Sequence, residues 1–149
     1  AIEEITSHGY QVLHAYGRKN DAPKPHEGYT AMPYIDDMEA AYAVADMVVC
    51  RSGAMTVAEN SAAGLPAVYI PLPHGNGEQG LNSAHLVATG AALRIDDAEL
   101  TPATLARSVH EILGQPERSQ RIREALEHSG AGSVAEDLAA RIIATITKE

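Results

Sequence analysis

The chain has 149 residues, the size of one domain, and a domain of that length removes roughly 68–70% of its unfolded surface from water, so it holds a real core. Its 20 acidic against 11 basic residues, a formal charge of -9, argue against a dedicated nucleic-acid binder or a polybasic membrane anchor and leave room for a local anion site. With 45% hydrophobic residues but no Trp or Phe, the core must be mostly Ala, Val, Leu and Ile.

Cys50 is the only cysteine, which excludes an internal disulfide and a cysteine-rich zinc site and fits a reducing cytoplasm. No apolar run approaches the ~20 residues that span a bilayer, and no signal-peptide pattern is visible. The expected location is therefore cytoplasmic.

The sequence begins without Met on "AIEEITSHGY", a helical pattern with no strand before it, and this reads as a fragment of a longer protein. Five short runs then read as strands: residues 10–16, 29–34, 47–50, 67–70 and 91–95. Between them, residues 37–45, 56–63 and 81–89 carry apolar side chains at helical spacing. Repeated βα units predict an α/β fold, a Rossmann-like parallel sheet with helices on both faces, in one domain spanning residues 1–149. "MVVC" and "AVYI" are continuous apolar runs, as central strands require. Residues 18–28 read as a polar surface loop. Beyond Asp97 only helices are expected: one starting at Thr101-Pro102, one ending by Gly130, and a last one from Ser133 to about Lys148.

In such sheets ligands sit at the carboxyl ends of the strands, where loops enter helix N-termini. Two unusual loops fall there, residues 51–55 after "MVVC" and residues 71–80 after "AVYI". Thr56 and Glu59 have two readings. They fit a capping box, in which Thr caps the helix and Glu reaches back to the cap's N–H; Ser133 and Glu136 repeat the spacing elsewhere. Alternatively, the free N–H groups of the helix start, with the Ser52 and Thr56 hydroxyls, hold a phosphate while Glu59 accepts from a ribose diol. The loop "HGNGEQGLNSA" is likewise either a Gly/Asn turn or, through Asn76, Glu78, Gln79 and Asn82, a set of donors and acceptors for sugar hydroxyls. Asp36 and Asp37 read as an N-cap, and no spaced carboxylate pair implies a metal. His74 reads as a solvated loop residue, and Cys50 as inert packing.

Residues 34–84, "YIDDMEAAYAVADMVVCRSGAMTVAENSAAGLPAVYIPLPHGNGEQGLNSA", closely resemble the donor-binding C-terminal domain of the MurG family. That family comprises the UDP-GlcNAc:undecaprenyl-diphospho-muramoyl-pentapeptide N-acetylglucosaminyltransferases. "CRSGAMTVAE" followed by "AAGLP" and a Gln-containing loop carries the resemblance. It implies the C-terminal half of a GT-B glycosyltransferase, two Rossmann-like domains facing a cleft. Ile35 would then meet the uracil, and Arg51, Ser52, Gly53, Ala54, Met55 and Thr56 would hold the diphosphate. Glu59 would bind the ribose, Gln79 with Glu78 would read the GlcNAc hydroxyls, and Asn82 would support the loop. Glu78 stands where the family often has Gln, and a carboxylate accepts but does not donate. The family's Gly-Gly-Ser-Gln-Gly-Ala loop and its acceptor domain have no counterpart here.

The resemblance implies an inverting transfer of GlcNAc from UDP-GlcNAc to the C4 hydroxyl of lipid I, giving lipid II, with neither a cofactor nor a metal. The general base, the lipid I site and the contact with the cytoplasmic face of the membrane would belong to the absent domain, so the catalytic set of this chain is empty. The alternatives are a one-domain UDP-GlcNAc-binding subunit of a two-chain transferase, a UDP-sugar epimerase of the same fold, and a non-catalytic nucleotide-sugar sensor.

Overall fold

The computed structural model describes residues 1–73 and 77–129. The expected helix from Ser133, the Ser133 and Glu136 pair, Gly130, His74 and Asn76 lie outside them. The chain runs α1 (Ile2–Ser7), β1 (Val12–Ala15), β2 (Tyr29–Met32), α2 (Met38–Val44), β3 (Val48–Cys50), α3 (Ala54–Ala62), β4 (Ala67–Tyr69), α4 (Glu78–Ala88) and β5 (Leu93–Arg94). A 3-10 turn (Asp97–Glu99) and the helices α5 (Pro102–Leu113) and α6 (Pro116–His128) follow.

All strand pairs are parallel, but the described strands form two sheets, β1-β2 and β3-β4-β5. The single continuous sheet expected from the βα alternation is thus divided, with β1 and β3 each paired on one side only. The strands are shorter than the apolar runs because the ladders end early. Ala91 and Ala92, for example, are buried but precede β5.

β4 is the middle strand, and its three consecutive residues are all at most 1% exposed, so both of its faces are covered. Around it Val57 of α3, Leu86 of α4, Ile112 of α5, and Ile122 and Leu126 of α6 form the main core. α5 earns its place through an apolar stripe at Ala106, Val109 and Ile112, and through Ala106 and Val109 it also packs on Ile5 of α1. Met47, Leu105 and Leu113 border both clusters, which joins the layer under β1 to the layer under β4.

Helix ends follow local chemistry. Asp37 caps α2 through the Ala40 N–H at 2.9 Å, and Thr101 with Thr104 forms a reciprocal capping box at the start of α5. Arg123 of α6 donates to the carbonyls of Gly64 (3.1 Å) and Asp46 (3.0 Å), at the amino ends of β4 and β3. The opposite, carboxyl edge of these strands is left to the loops.

Tyr69 is the largest side chain in the interior, and burial pushes its phenol from the ordinary 10.0 up to about 12. The unfolded chain releases this proton near pH 10 while the folded chain keeps it, so the stabilisation is whole below pH ~10 and is lost as pH rises toward 12. Urea midpoints measured from pH 9 to 11.5 should fall above pH ~10, with a slope from this group of about 1.4 kcal/mol per pH unit. Tyr69→Phe should flatten that fall.

Candidate functional site

β3, β4 and β5 run parallel, so the segments leaving them emerge on one edge. Residues 51–53 lead from β3 into α3, and residues 70–77 lead from β4 into α4.

α3 begins at Ala54, two residues earlier than the Thr56 start that a capping box requires. Gly53 is its N-cap and has no side chain to offer, so no side-chain oxygen caps the helix. Thr56 lies within the first turn. Glu59 does not reach back to the helix start; its Oε2 accepts from the Tyr42 hydroxyl of α2 at 3.2 Å. The capping-box reading of Thr56 and Glu59 is therefore corrected, because the helix starts before the residue that would have closed it. α4 likewise begins at Glu78 rather than Leu81, behind Gly77 at φ 74, and also lacks a side-chain cap. Glycine suits that left-handed position because it has no Cβ to clash.

The two bare helix starts are tied together. Ser52 is fully buried, and its hydroxyl donates to the Gln79 carbonyl at 2.8 Å. Asn82 Nδ2 donates to the Ser52 carbonyl at 3.0 Å. Gln79 Oε1 accepts from the Leu72 N–H at 3.1 Å, which orients the amide and leaves Nε2 as its donor end. Ser52, Gln79 and Asn82, far apart in the chain, thus form one constellation at the strand ends.

The other expected residues surround it in different ways. Gly53, Ala54, Met55 and Thr56 form the helix start itself, and Met55 is 72% exposed. Glu78 is exposed in the first turn of α4. Ile35 is half-buried in the segment between β2 and α2, and α2 carries the Tyr42 that meets Glu59. One nitrogen of the Arg51 guanidinium is engaged at the loop entry: its NH1 donates to the Ile70 carbonyl at 3.2 Å and pairs with Asp97 at 2.5 Å. Burial raises the Tyr42 hydroxyl above its usual pKa, and the bond to Glu59 adds to this, so it remains a donor to the carboxylate at neutral pH.

Cys50 ends β3 against Asn60, whose Nδ2 lies 3.3 Å from its sulfur; burial raises the thiol's pKa and keeps it protonated. Among the described residues no three His, Cys, Asp or Glu side chains gather as a metal site, and no helix is long and apolar enough to cross a membrane. Tyr42 and Asp97 were missed in the sequence. The available signal for Asp97 was an Asp pair directly after an expected strand.

Two uncapped helix starts thus meet at one edge of a parallel sheet, and comparison with known proteins gives the family. The family model of the glycosyltransferase family 28 C-terminal domain matches residues 1–142, and the chain belongs to that family. It is 50% identical over 149 residues to the UDP-N-acetylglucosamine--N-acetylmuramyl-(pentapeptide) pyrophosphoryl-undecaprenol N-acetylglucosamine transferase of Corynebacterium glutamicum (strain ATCC 13032), covering all of this chain and 42% of that protein. The enzyme of the same description from Corynebacterium diphtheriae is 54% identical over 138 residues, 93% of this chain and 38% of its own. The chain therefore spans less than half the length of these relatives.

Among solved structures, Acinetobacter baumannii MurG superposes with a TM-score of 0.61 at 32% identity, over 76% of this chain and 33% of that one. The glycosyltransferase of kitacinnamycin gives a TM-score of 0.69 at 26% identity, over 94% and 37%. The fold is the C-terminal half of a GT-B glycosyltransferase.

Removing the Asn82 tie should loosen the turn after β3. Asn82→Ala should cost about 1–2 kcal/mol in chemical denaturation and speed amide exchange at residues 52–56, while exchange within α5 stays unchanged.

Proposed function

We propose that this chain is the donor-binding portion of an inverting glycosyltransferase that moves GlcNAc from UDP-GlcNAc to the C4 hydroxyl of lipid I, yielding lipid II. The observation that carries the reading is the convergence of two uncapped helix starts through Ser52, Gln79 and Asn82. The names and close identity of the corynebacterial relatives support the same substrates.

In this reading the N–H groups at the start of α3 receive the diphosphate, where the helix supplies fixed partial positive charge. As UDP departs, negative charge grows on those oxygens, and dipoles already in place stabilise it without reorganisation. Glu59, held by Tyr42, accepts from the ribose hydroxyls. Gln79 directs Nε2 to the sugar because Oε1 is occupied by Leu72. Glu78 accepts from a sugar hydroxyl, Asn82 holds the Ser52 turn, and Ile35 packs against the uracil. The base that deprotonates the acceptor, the lipid I site and the membrane-facing surface belong to the remaining part of the longer enzyme. A place at the cytoplasmic face of the membrane follows from that substrate.

Calorimetry with UDP tests the nucleotide half. Glu59→Ala should weaken UDP by ~1–3 kcal/mol, the scale of a lost charged hydrogen bond. Normal UDP affinity with an earlier melting point would return Glu59 to a structural role.

The sugar half is tested by Gln79→Ala, measured with UDP and with UDP-GlcNAc. Only the sugar nucleotide should lose affinity, because UDP has no ring for the amide to touch. An equal loss for both would remove Gln79 from the sugar site.

A further inference from the structure

The backbone ladder between β3, β4 and β5 ends with the Ile70 N–H on the Cys50 carbonyl (2.9 Å) and the Ile95 N–H on the Tyr69 carbonyl (3.0 Å). Directly beyond it the chain enters the β4–α4 loop through Pro71, Leu72 and Pro73. Two of these three residues have no N–H, so the ladder cannot continue. Among the described residues, two ties hold the loop entry. The Leu72 N–H bonds Gln79 Oε1, and the Ile70 carbonyl accepts from Arg51 NH1.

That same nitrogen pairs with Asp97, in the turn after β5. One guanidinium thus fastens three strand ends, with Asp97 setting its direction. Asp97 lines a small cavity of about 230 Å³ with Leu72, Gly77, Gly80, Arg94 and Asp96, and neither Ser52, Gln79 nor Asn82 borders that space. Asp97 therefore meets the loop at its entry without touching the Ser52 constellation.

We infer that Asp97 is a positioning residue of the donor site: through Arg51 it fixes where the β4–α4 loop leaves the sheet, and hence the spacing between the Ser52 turn and the Gln79 amide. Arg51 in turn serves the donor through this staple and does not contact the diphosphate. The inference rests on the reading of residues 52–56 as the diphosphate site and Gln79 as the sugar site. The pair is too open for a large share of stability, with side chains 44% and 35% exposed. Its effect is on geometry.

The test titrates the wild-type chain, Asp97→Asn, Arg51→Gln and the double variant with UDP and with UDP-GlcNAc. Both single variants should lose about threefold to fivefold in UDP-GlcNAc affinity, the upper scale of one exposed charge pair, with UDP changing by less than about twofold. The double variant should be no worse than either single one, as members of one contact behave. Melting should stay close to wild type. If Arg51→Gln weakens UDP as much as UDP-GlcNAc while Asp97→Asn changes neither, Arg51 touches phosphate itself and the inference is overturned.

A wild-type chain that binds no UDP would sink the functional reading instead. Amide exchange without ligand then still decides the staple. Asp97→Asn must speed exchange at Leu72 and Gln79, and unchanged rates there would refute it.

Discussion

Everything at the candidate site hangs on the burial of β4. A three-residue strand offers few ladder bonds, and it holds its place because Ala67, Val68 and Tyr69 are packed on both sides by helices. The parallel pairing of β3, β4 and β5 requires each connection to cross over, and the crossover helices are what cover the sheet. Crossovers of that kind deliver the loops after β3 and β4 to the same edge. The core brings these loops together, and the ties at that edge set their spacing.

The two ends of the strands are treated differently. At the amino ends of β3 and β4, Arg123 fills the carbonyls of Asp46 and Gly64, a closure that leaves little for a ligand to take. At the carboxyl ends the charged side chains pair among themselves, Arg51 with Asp97 and Arg94 with Asp96. The backbone donors of α3 and α4 are left without side-chain caps. An acidic chain can therefore present a local anion site without a cluster of free lysines or arginines.

Much of this was legible in the sequence. The alternation of apolar runs gave the βα order, and "MVVC" and "AVYI" marked the inner strands because continuous apolarity has few other uses. Thr101-Pro102 announced the start of α5, and Asp37 that of α2. The Thr56 and Glu59 pair misled, because a capping box and a helix interior share the same spacing. Only the location of Gly53, which carries no side-chain information, separates them. The division of the sheet was not legible either, since hydropathy does not encode which edges pair. Asp97 was hidden for another reason: its partner Arg51 is 46 residues away, and such pairing becomes visible only when strand order is known.

Gly53 carries a consequence for energetics. A helix that starts at glycine forgoes the side-chain bond that Ser, Thr, Asn or Asp would supply, a difference of a few tenths of a kcal/mol to its own folding. What is forgone remains available. The anion proposed for the start of α3 would supply that bond, so part of its affinity would be deferred folding energy. Ligand and helix would then stabilise each other.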